Sequence, residues 1–467
     1  MNIADSEKVA MMMLQSWISK TADPMEADII IFNTCSVRKK WEDKVFSLAR
    51  DLQKAKKKLW QKCIVWITWC MVRKTWIRKW LLETHRKRNA AKKIEILNSV
   101  NDIYNSDDKI FWMTEVIDFV FRIEEITYLA KLLSILLKVD IWNDEKFNEY
   151  LKIKQLQSNP WSANIIIQTW CDNYCTYCIV PHTRWKETSR NSEEILSEIK
   201  QVAAKWTKEI TLIWQNVNSY RKDARTKEWD VQNLKWINTS VKTPMRELLE
   251  KIDSIEWIDR VRFTSSNPHD MTKDILDAHF DLNKTCNHLH FALQSWDNEI
   301  LKKMNRKHTY EDFKEMVKYL RSKDQFFSIS TDIIVWFPWE SESQFENTVN
   351  AFNELEFDFA YIARYSPRRG TYSADKLTDD VEYKEKARRW HKLNNMLYNN
   401  VKKRSEMMIW KNETILIEWT TEHWKYFWRT RNYKEIYFEN TKKAKIWDLV
   451  EVKIEKMLKW TLSWIML

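Results

Sequence analysis

Short apolar runs alternate with longer helical patterns along most of the chain. In the N-terminal quarter, residues 28–33 and 63–68 have the pattern of apolar strands, residues 40–57 have helical spacing, and residues 110–111 end a further strand. From residue 165 onward the alternation is regular, with helical segments between six apolar strands at 165–168, 210–213, 261–264, 288–293, 329–335 and 359–365. Repeated β/α units predict a partial parallel barrel, whose functional residues lie at the carboxyl ends of the strands.

The pattern changes again near the C-terminus. A charged helix at 383–404 precedes short β runs at 413–418, 426–429, 436–439 and 449–454, which predict a small β-barrel. The apolar stretch 126–141 contains Lys131 and Lys138, so we interpret it as a buried or amphipathic helix and not as a membrane span. The predicted α/β architecture comprises an α/β domain at 1–125, a helix and linker at 126–160, a partial (β/α)6 barrel at 161–400 and a β-barrel at 401–467.

The composition is unusual in one respect, because the 467 residues include a single glycine and 28 tryptophans. At the usual glycine frequency of ~7%, a chain of this length has roughly 33 glycines. Trp206 and Trp257 follow predicted helices, and Trp336 and Trp339 follow a strand end, where turns favour glycine. We therefore predict that most tryptophan letters stand for native glycine, as when UGA codons that encode glycine are translated as tryptophan. The alternative is a tryptophan-rich protein.

The charge of the chain is positive and unevenly distributed. The formal net charge is +11, and residues 38–93 contain 19 Lys and Arg against 4 Asp and Glu. Such a basic region is typical of a protein that binds RNA, although a solvated basic face has the same composition. The N-terminus lacks the charged start, apolar core and cleavage site of a secretion signal. We expect a cytoplasmic protein that does not bind membranes.

Three of the seven cysteines lie close together in the sequence. Cys171, Cys175 and Cys178 form a CxxxCxxC motif directly after the first predicted barrel strand. Three thiolates on one loop can bind three irons of a [4Fe-4S] cube and leave the fourth iron open to a ligand. The alternative is a zinc site completed by His182. The position at the carboxyl end of a barrel strand favours the iron-sulfur cluster.

The motif on this strand resembles that of the radical S-adenosylmethionine (SAM) superfamily, and the whole chain resembles its tRNA methylthiotransferases. The similarity runs through Asn33-Thr-Cys-Ser-Val-Arg, Lys44-Val-Phe-Ser-Leu, Trp66-Ile-Thr-Trp-Cys-Met, Cys178-Ile-Val-Pro, Thr183-Arg-Trp-Lys-Glu, Trp214-Gln-Asn-Val-Asn-Ser-Tyr, Arg262-Phe-Thr-Ser-Ser, Leu293-Gln-Ser-Trp, Lys303-Met-Asn-Arg, Asp332-Ile-Ile-Val-Trp-Phe-Pro-Trp-Glu and Tyr365-Ser-Pro-Arg-Arg-Gly-Thr. The family motifs have glycine at eight positions that are tryptophan here: Trp66, Trp69, Trp170, Trp185, Trp214, Trp296, Trp336 and Trp339.

The resemblance implies two [4Fe-4S] clusters. Cys171, Cys175 and Cys178 would bind the cluster that chelates SAM and cleaves it to a 5′-deoxyadenosyl radical. Cys35 and Cys70 match two of the three ligands of a second cluster, whose third cysteine is not in the sequence. The simplest interpretation is a start site placed too late, with the first strand and one ligand missing. We interpret Cys63 and Cys286 as ordinary buried thiols.

The resemblance also implies the reaction. The string Gln215-Asn216-Val217-Asn218-Ser219-Tyr220 resembles that of the branch that converts N6-isopentenyladenosine beside the tRNA anticodon to its 2-methylthio derivative. One SAM would methylate a sulfur at the second cluster, and another would supply the radical that activates C2 of the base. The alternatives are a methylthiotransferase for threonylcarbamoyl-adenosine or for a ribosomal protein, and a zinc-stabilised RNA-binding protein without catalysis.

Further residues and partners follow from the same resemblance. Gln215, Asn216, Gln294 and Ser295 are candidates for cofactor binding because they lie at strand ends, although core or turn roles are equally open. No catalytic side chain is assigned beyond the cluster ligands. The C-terminal β-barrel, with Arg429 and Arg431, resembles the RNA-binding domain of this family. The expected partners of the monomeric enzyme are tRNA, an external electron donor and a sulfur donor.

Overall fold

The computed structural model describes residues 2–34, 39–58, 64–69, 119–121, 123–129, 150–183, 187–221, 242–368, 370–379, 381–420, 425–439, 445, 448–458 and 461–466. The chain forms two compact units. One comprises residues 1–158 with 179–185, and the other comprises 159–178 with 186–467. Both units combine helices with parallel sheets, which confirms the predicted α/β class.

The first unit contains a three-stranded parallel sheet in the order β1-β2-β3. Its elements are α1 (Asn2–Gln15), β1 (Ile29–Thr34), α2 (Lys39–Lys58), β2 (Ile64–Trp69) and β3 (Phe119–Phe121). The predicted strands at 28–33 and 63–68 and the helix at 40–57 are confirmed to within one residue. Helix α1 was not predicted, and the strand ending at 110–111 lies outside the described residues.

The segment before the barrel belongs to this first unit and is not a separate linker. Lys8 Nζ on α1 donates to the backbone oxygen of Tyr150 at 2.8 Å, and the backbone N–H of Ser158 donates to the carboxylate of Glu7 at 2.9 Å. Of the buried or amphipathic helix predicted at 126–141, the structure describes only residues 126–129, where Ile123–Tyr128 is a 3₁₀ helix and Ile126 and Leu129 are buried.

The second unit contains six parallel strands in the predicted order. They are β4 (Ser162–Ile166), β7 (Glu209–Ile213), β8 (Arg260–Phe263), β9 (His288–His290), β10 (Ser328–Val335) and β11 (Phe359–Arg364). A short antiparallel pair, β5 (Gln168–Thr169) and β6 (Thr188–Ser189), follows β4. Sheets β4-β7-β8 and β9-β10-β11 are connected by parallel bridges such as Val261 to Thr285. The described strands thus form a partial barrel.

Helices flank these strands and bury their outward-facing apolar side chains. They are α4 (Ser192–Ala203), α5 (Pro244–Asp253), α6 (Lys273–Asp281), α7 (Asn298–Lys303), α8 (Tyr310–Lys323), α9 (Glu342–Leu355), α10 (Tyr372–Lys376) and α11 (Tyr383–Glu406); the short helix α3 (Val180–Thr183) belongs to the first unit. On β8, Val261 and Phe263 join the main hydrophobic core, whereas Arg260 and Arg262 alternate with them. Because successive strand residues face opposite sides, the two arginines point away from that helix-covered face.

A closed five-stranded barrel follows α11. Its strands are β12 (Asn412–Thr420), β13 (Lys425–Arg429), β14 (Glu435–Glu439), β15 (Leu449–Leu458) and β16 (Thr461–Met466), in the order β12-β13-β14-β16-β15. Helix α11 extends across the predicted domain boundary at residue 401, and strand β16 was not predicted. Within the second unit, this barrel and the partial barrel belong to one compact body.

The two barrels of the second unit are joined by arginines that donate to backbone oxygens. The Arg260 guanidinium donates to the oxygens of Thr414 and Arg429, at 2.8 and 2.7 Å. In the other direction, Arg431 donates to the oxygens of Asn283 and Thr285, both at 2.8 Å. Arg431, which we had assigned to an RNA-binding surface, is therefore used to attach the small barrel. The planar guanidinium donates to both of these backbone oxygens, which lie between α6 and β9.

Within the described residues, the backbone at seven tryptophans has the left-handed conformation that favours glycine. These are Trp17, Trp170, Trp206, Trp257, Trp336, Trp339 and Trp410, with φ between 60° and 72°. A bulky side chain is strained there by ~1–2 kcal/mol. The sequence alone predicts glycine at five of these positions, from a turn or from a family motif: Trp170, Trp206, Trp257, Trp336 and Trp339. The conformations support the glycine prediction at those five. Trp214 and Trp296, in contrast, do not have positive φ.

Trp206 shows why glycine is favoured at such a position. It follows α4, its N–H donates to Ala203 O at 2.9 Å, and the N–H of Thr207 donates to Val202 O at 3.3 Å. These two bonds define a Schellman motif, in which the C′ residue is usually glycine. The side chain is 61% exposed, so burial contributes little to compensate for the strain.

We expect Trp206→Gly to stabilise the printed chain by ~1–2 kcal/mol, because it removes the strain of a β-carbon in the left-handed region. Urea unfolding measures the change. In addition, peptides of the protein from its own host should contain glycine at position 206, which mass spectrometry detects.

The matched control is Trp390→Gly. Trp390 lies inside α11, and its indole Nε1 donates to Ile362 O at 2.9 Å. Glycine in a helix interior costs about 1 kcal/mol before the lost contacts are added, so this variant should be less stable. Equal destabilisation by both changes, together with tryptophan in the native peptide, would disprove the glycine assignment.

Candidate functional site

The three cysteines lie on a loop at the carboxyl end of the first barrel strand. After β4 and the short strand β5, the backbone turns through Trp170 and Tyr174, both with positive φ. The loop closes with a bond from Cys178 N–H to Cys175 O at 2.9 Å. Cys171, Cys175 and Cys178 are all half-buried. The predicted placement of the CxxxCxxC motif at a strand end is therefore confirmed.

Residues at and just after the end of α7 hold the loop in place. The N–H of Thr176 donates to Met304 O at 3.0 Å, and its hydroxyl donates to Lys303 O at 2.9 Å. The Asn305 amide donates to Tyr174 O at 3.0 Å. These contacts bring the Lys303-Met-Asn-Arg motif next to the cysteine motif, more than 120 residues away in the sequence.

Side chains donate hydrogen bonds to the sulfurs of Cys171 and Cys175. Asn173 Nδ2 donates to Cys171 Sγ at 3.3 Å, and an Arg306 terminal nitrogen donates to Cys175 Sγ at 3.5 Å. Burial raises the pKa of the Cys171 thiol to about 12, against the effect of Asn173. Metal binding requires the thiolate, so a metal must displace this proton.

A polar network lies beside the loop at the ends of β5 and β7. Gln168 Nε2 donates to Ser219 Oγ at 3.0 Å, and Ser219 Oγ donates to a Glu187 carboxylate oxygen at 2.8 Å. Asn216 Nδ2 donates to Asp270 Oδ2 at 2.7 Å. Burial raises the pKa of Glu187 to about 7, although the Ser219 bond lowers it. Glu187 is consequently able to hold or release a proton near neutral pH.

The four candidate cofactor-binding residues have different surroundings. Both amide atoms of Gln215 and Oδ1 of Asn216 are buried without a partner in the described part of the structure. Ser295 Oγ, in contrast, accepts from the N–H of Asp297 at 3.3 Å, which is a local turn. Gln294 has φ 82° and bonds through its backbone to Asp332 and Ile334. The structure thus favours a ligand role for Gln215 and Asn216 over Gln294 and Ser295.

The donor set at this end of the barrel fits an iron-sulfur cluster with a bound cofactor. Three thiols lie on one loop, N–H groups donate to two of the sulfurs, and buried amides lack partners that a ligand can supply. Among the described residues, no three His, Cys, Asp or Glu side chains converge on a single ion. A cube does not need that convergence, because each of its thiolates binds a different iron.

The remaining sequence-predicted cysteines divide into two groups. Cys35, Cys70 and Cys63 lie outside the described residues. Cys286 is 1% exposed, which confirms it as a buried thiol. In the ranges that the structure describes, we find no helix with both the length and the apolar character needed to cross a membrane.

Sequence reasoning missed Asn305, Arg306 and Glu187 as members of the site. Two of them end the Lys303-Met-Asn-Arg motif and the third ends Thr183-Arg-Trp-Lys-Glu, both of which carry the family resemblance. The family motifs therefore included these residues, but only the fold shows that they lie beside the cysteine loop.

Comparisons with known proteins agree with this geometry. Residues 165–352 match the radical SAM superfamily, and residues 1–88 match the uncharacterized protein family UPF0004. The tRNA-2-methylthio-N(6)-dimethylallyladenosine synthase of Clostridium botulinum (strain Okra / Type B1) is 34% identical over 99% of this chain and 94% of its own length. The enzyme of that name from Thermoanaerobacter sp. (strain X514) is also 34% identical, over 99% of this chain and 90% of its own.

Coproporphyrinogen III oxidase from Escherichia coli, a radical SAM enzyme of known structure, aligns with a TM-score of 0.39 at 14% identity over 64% of this chain and 68% of its own. The radical SAM match implies that the protein uses a [4Fe-4S] cluster and SAM. From the near-complete similarity to the two synthases, the chain belongs to the family of tRNA-2-methylthio-N(6)-dimethylallyladenosine synthases within the radical SAM superfamily.

Proposed function

We propose that this protein converts N6-isopentenyladenosine, also called N6-dimethylallyladenosine, beside the anticodon of tRNA to its 2-methylthio derivative. The observation that carries the proposal is the cysteine loop at the carboxyl end of β4, held by the motif that ends in Asn305 and Arg306. The curated relatives match 99% of the chain, so the similarity includes the parts outside the barrel as well.

Cys171, Cys175 and Cys178 would hold the cluster, which supplies the electron that cleaves SAM. The chain's own residues orient and enclose it. Asn173 and Arg306 donate to the sulfurs of Cys171 and Cys175, which fixes the ligand directions. Gln215 and Asn216 offer buried amide groups to the polar atoms of SAM or of the base. Because these amides are buried, the hydrogen bonds that they make to a ligand are stronger than they would be in water.

Other parts of the proposal concern the rest of the chain. A second [4Fe-4S] cluster would be bound by Cys35 and Cys70. The sulfur donor and the one-electron donor are separate partners of the monomer, and the reaction takes place in the cytoplasm. The small C-terminal barrel binds tRNA through a surface other than Arg431, since that side chain contacts Asn283 and Thr285.

We expect tRNA from a strain that lacks this gene to lose the 2-methylthio nucleoside and to accumulate N6-isopentenyladenosine. Nucleoside analysis by liquid chromatography and mass spectrometry measures both. The physical reason is that the isopentenylated base is the substrate, so it persists when the sulfur insertion stops. Reintroduction of the intact gene should restore the product.

The same strain distinguishes the alternative substrates. Unchanged methylthio-isopentenyladenosine, with loss of the methylthio group on threonylcarbamoyl-adenosine or on a ribosomal protein, would contradict the proposal. A purified protein that contains zinc but no iron after anaerobic reconstitution would favour the non-catalytic RNA-binding alternative.

A further inference from the structure

Arg306 differs from the buried arginines of the second unit in its partners. Arg262 lies 3.1 Å from a Glu209 carboxylate, Arg389 lies 3.1 Å from that of Glu340, and Arg404 lies 3.3 Å from that of Asp358. Arg306 is half-buried and has no carboxylate within ion-pair distance in the described part of the chain. A cation that is partly removed from water is unfavourable without a counter-charge, so this position favours a negative partner.

The local fold explains why Arg306 is placed there. Asn305 has φ 56°, its N–H donates to Lys302 O at 3.0 Å, and the N–H of Arg306 donates to Leu301 O at 2.8 Å. This is a Schellman motif at the end of α7, with asparagine in the left-handed position. It fixes the direction in which the chain leaves the helix and so directs the side chain of Arg306 to the cysteine loop.

The guanidinium is held between two sets of acceptors. One terminal nitrogen donates to Asn267 Oδ1 at 2.9 Å and to the oxygen of Ala292, and the other donates to Cys175 Sγ at 3.5 Å. The planar group therefore has one terminal nitrogen fixed by polar groups and presents the other to the cysteine sulfur.

We infer that Arg306 is a positioning residue that supplies the positive counter-charge of the [4Fe-4S] cluster and raises its reduction potential. The inference rests on the proposed function, in which Cys175 is a cluster ligand. A cluster bound by three thiolates is negatively charged, and one electron from the external donor makes it more negative by one unit. A fixed cation and N–H donors at a cluster sulfur stabilise the reduced form more than the oxidised form.

The test is a redox titration of the reconstituted full chain, followed by electron paramagnetic resonance. The signal to follow is the one that changes when SAM is added, because this change identifies the cluster with an open iron. Arg306→Gln removes the charge, and Arg306→Lys keeps it but loses the planar fork. Lys307→Gln is the matched control, since it removes a charge from the adjacent, exposed position.

We expect Arg306→Gln to make reduction about tenfold less favourable, which is a shift of ~59 mV to lower potential for one electron. Arg306→Lys should shift it less, and Lys307→Gln should not shift it because solvent screens the exposed charge. An unchanged potential in Arg306→Gln would overturn the inference. So would loss of the cluster from both Arg306 variants with native circular dichroism. Absence of a SAM-sensitive cluster from the unmutated protein would instead disprove the proposed function.

Discussion

Replacement of Cys171 by serine should abolish formation of the methylthio nucleoside. A serine hydroxyl is a harder donor than a thiolate and stays protonated at neutral pH, so the cluster loses one of its three attachments on the loop. Removal of a residue that only hydrogen-bonds to a metal ligand commonly costs 10–100-fold in metal affinity or activity. For a direct ligand we therefore expect a loss of at least ~100-fold. The measurements are iron and sulfide content, the SAM-sensitive paramagnetic signal, and the nucleosides of tRNA incubated with the enzyme.

Cys286→Ser is the matched control for this experiment. Cys286 is fully buried, and its Sγ donates to Lys284 O at 3.9 Å, away from the cysteine loop. Its replacement removes a buried thiol without touching the proposed ligands. We expect its iron content and product yield to equal those of the unmutated protein. Equal loss in both variants would indicate damage to the fold, and full activity of Cys171→Ser would exclude Cys171 as a ligand.

The elements of the fold were predictable because their signals are local. The six parallel strands, helix α2 and the placement of the cysteine motif follow from apolar periodicity and spacing over a few residues. The Trp206 and Trp257 positions were predicted as left-handed because a helix stop has its own sequence signature. In each case, the residues that determine the conformation are sequence neighbours.

The missed features depend on contacts between distant residues. Helix α1 was not predicted, although its Lys8 and Glu7 bind residues 150–158. The role of Arg306 depends on a loop more than 120 residues earlier, and that of Arg431 on residues 146 and 148 positions away. The sequence places a positive charge at Arg431, but it does not show which oxygens the guanidinium contacts.

Such long-range contacts meet at Asp358, whose replacement by asparagine has the largest stability effect that we predict. Its carboxylate lies 2.7 Å from Lys434 Nζ in the small barrel and 3.3 Å from Arg404 Nε on α11. It also accepts from the N–H of Ile329 at 2.9 Å. The residue is 6% exposed, so these charges are largely removed from water. Asparagine keeps the shape but leaves the buried cations without their counter-charge.

We expect Asp358→Asn to reduce the free energy of unfolding by ~3–5 kcal/mol at pH 7, as for other broken buried pairs. Urea unfolding followed by circular dichroism measures this. The matched control is Glu354→Gln, whose carboxylate pairs with Lys314 at 2.5 Å but whose side chain is 39% exposed. Exposed ion pairs contribute less than ~1 kcal/mol, so the control should be close to the unmutated protein.

The dependence of the free energy of unfolding on pH provides an independent check of the role of the Asp358 carboxylate. Burial alone raises the pKa of Asp358, but the charges of Lys434, Arg404 and Arg321 outweigh burial and hold that pKa well below its usual range. The stabilisation is therefore complete above the unfolded-state pKa of about 3.9 and is lost as the pH falls toward the folded-state value. Asparagine does not titrate, so the difference between the unmutated protein and Asp358→Asn should shrink below pH ~4. A difference that stays constant from pH 7 to pH 3 would show that packing, and not charge, causes the loss.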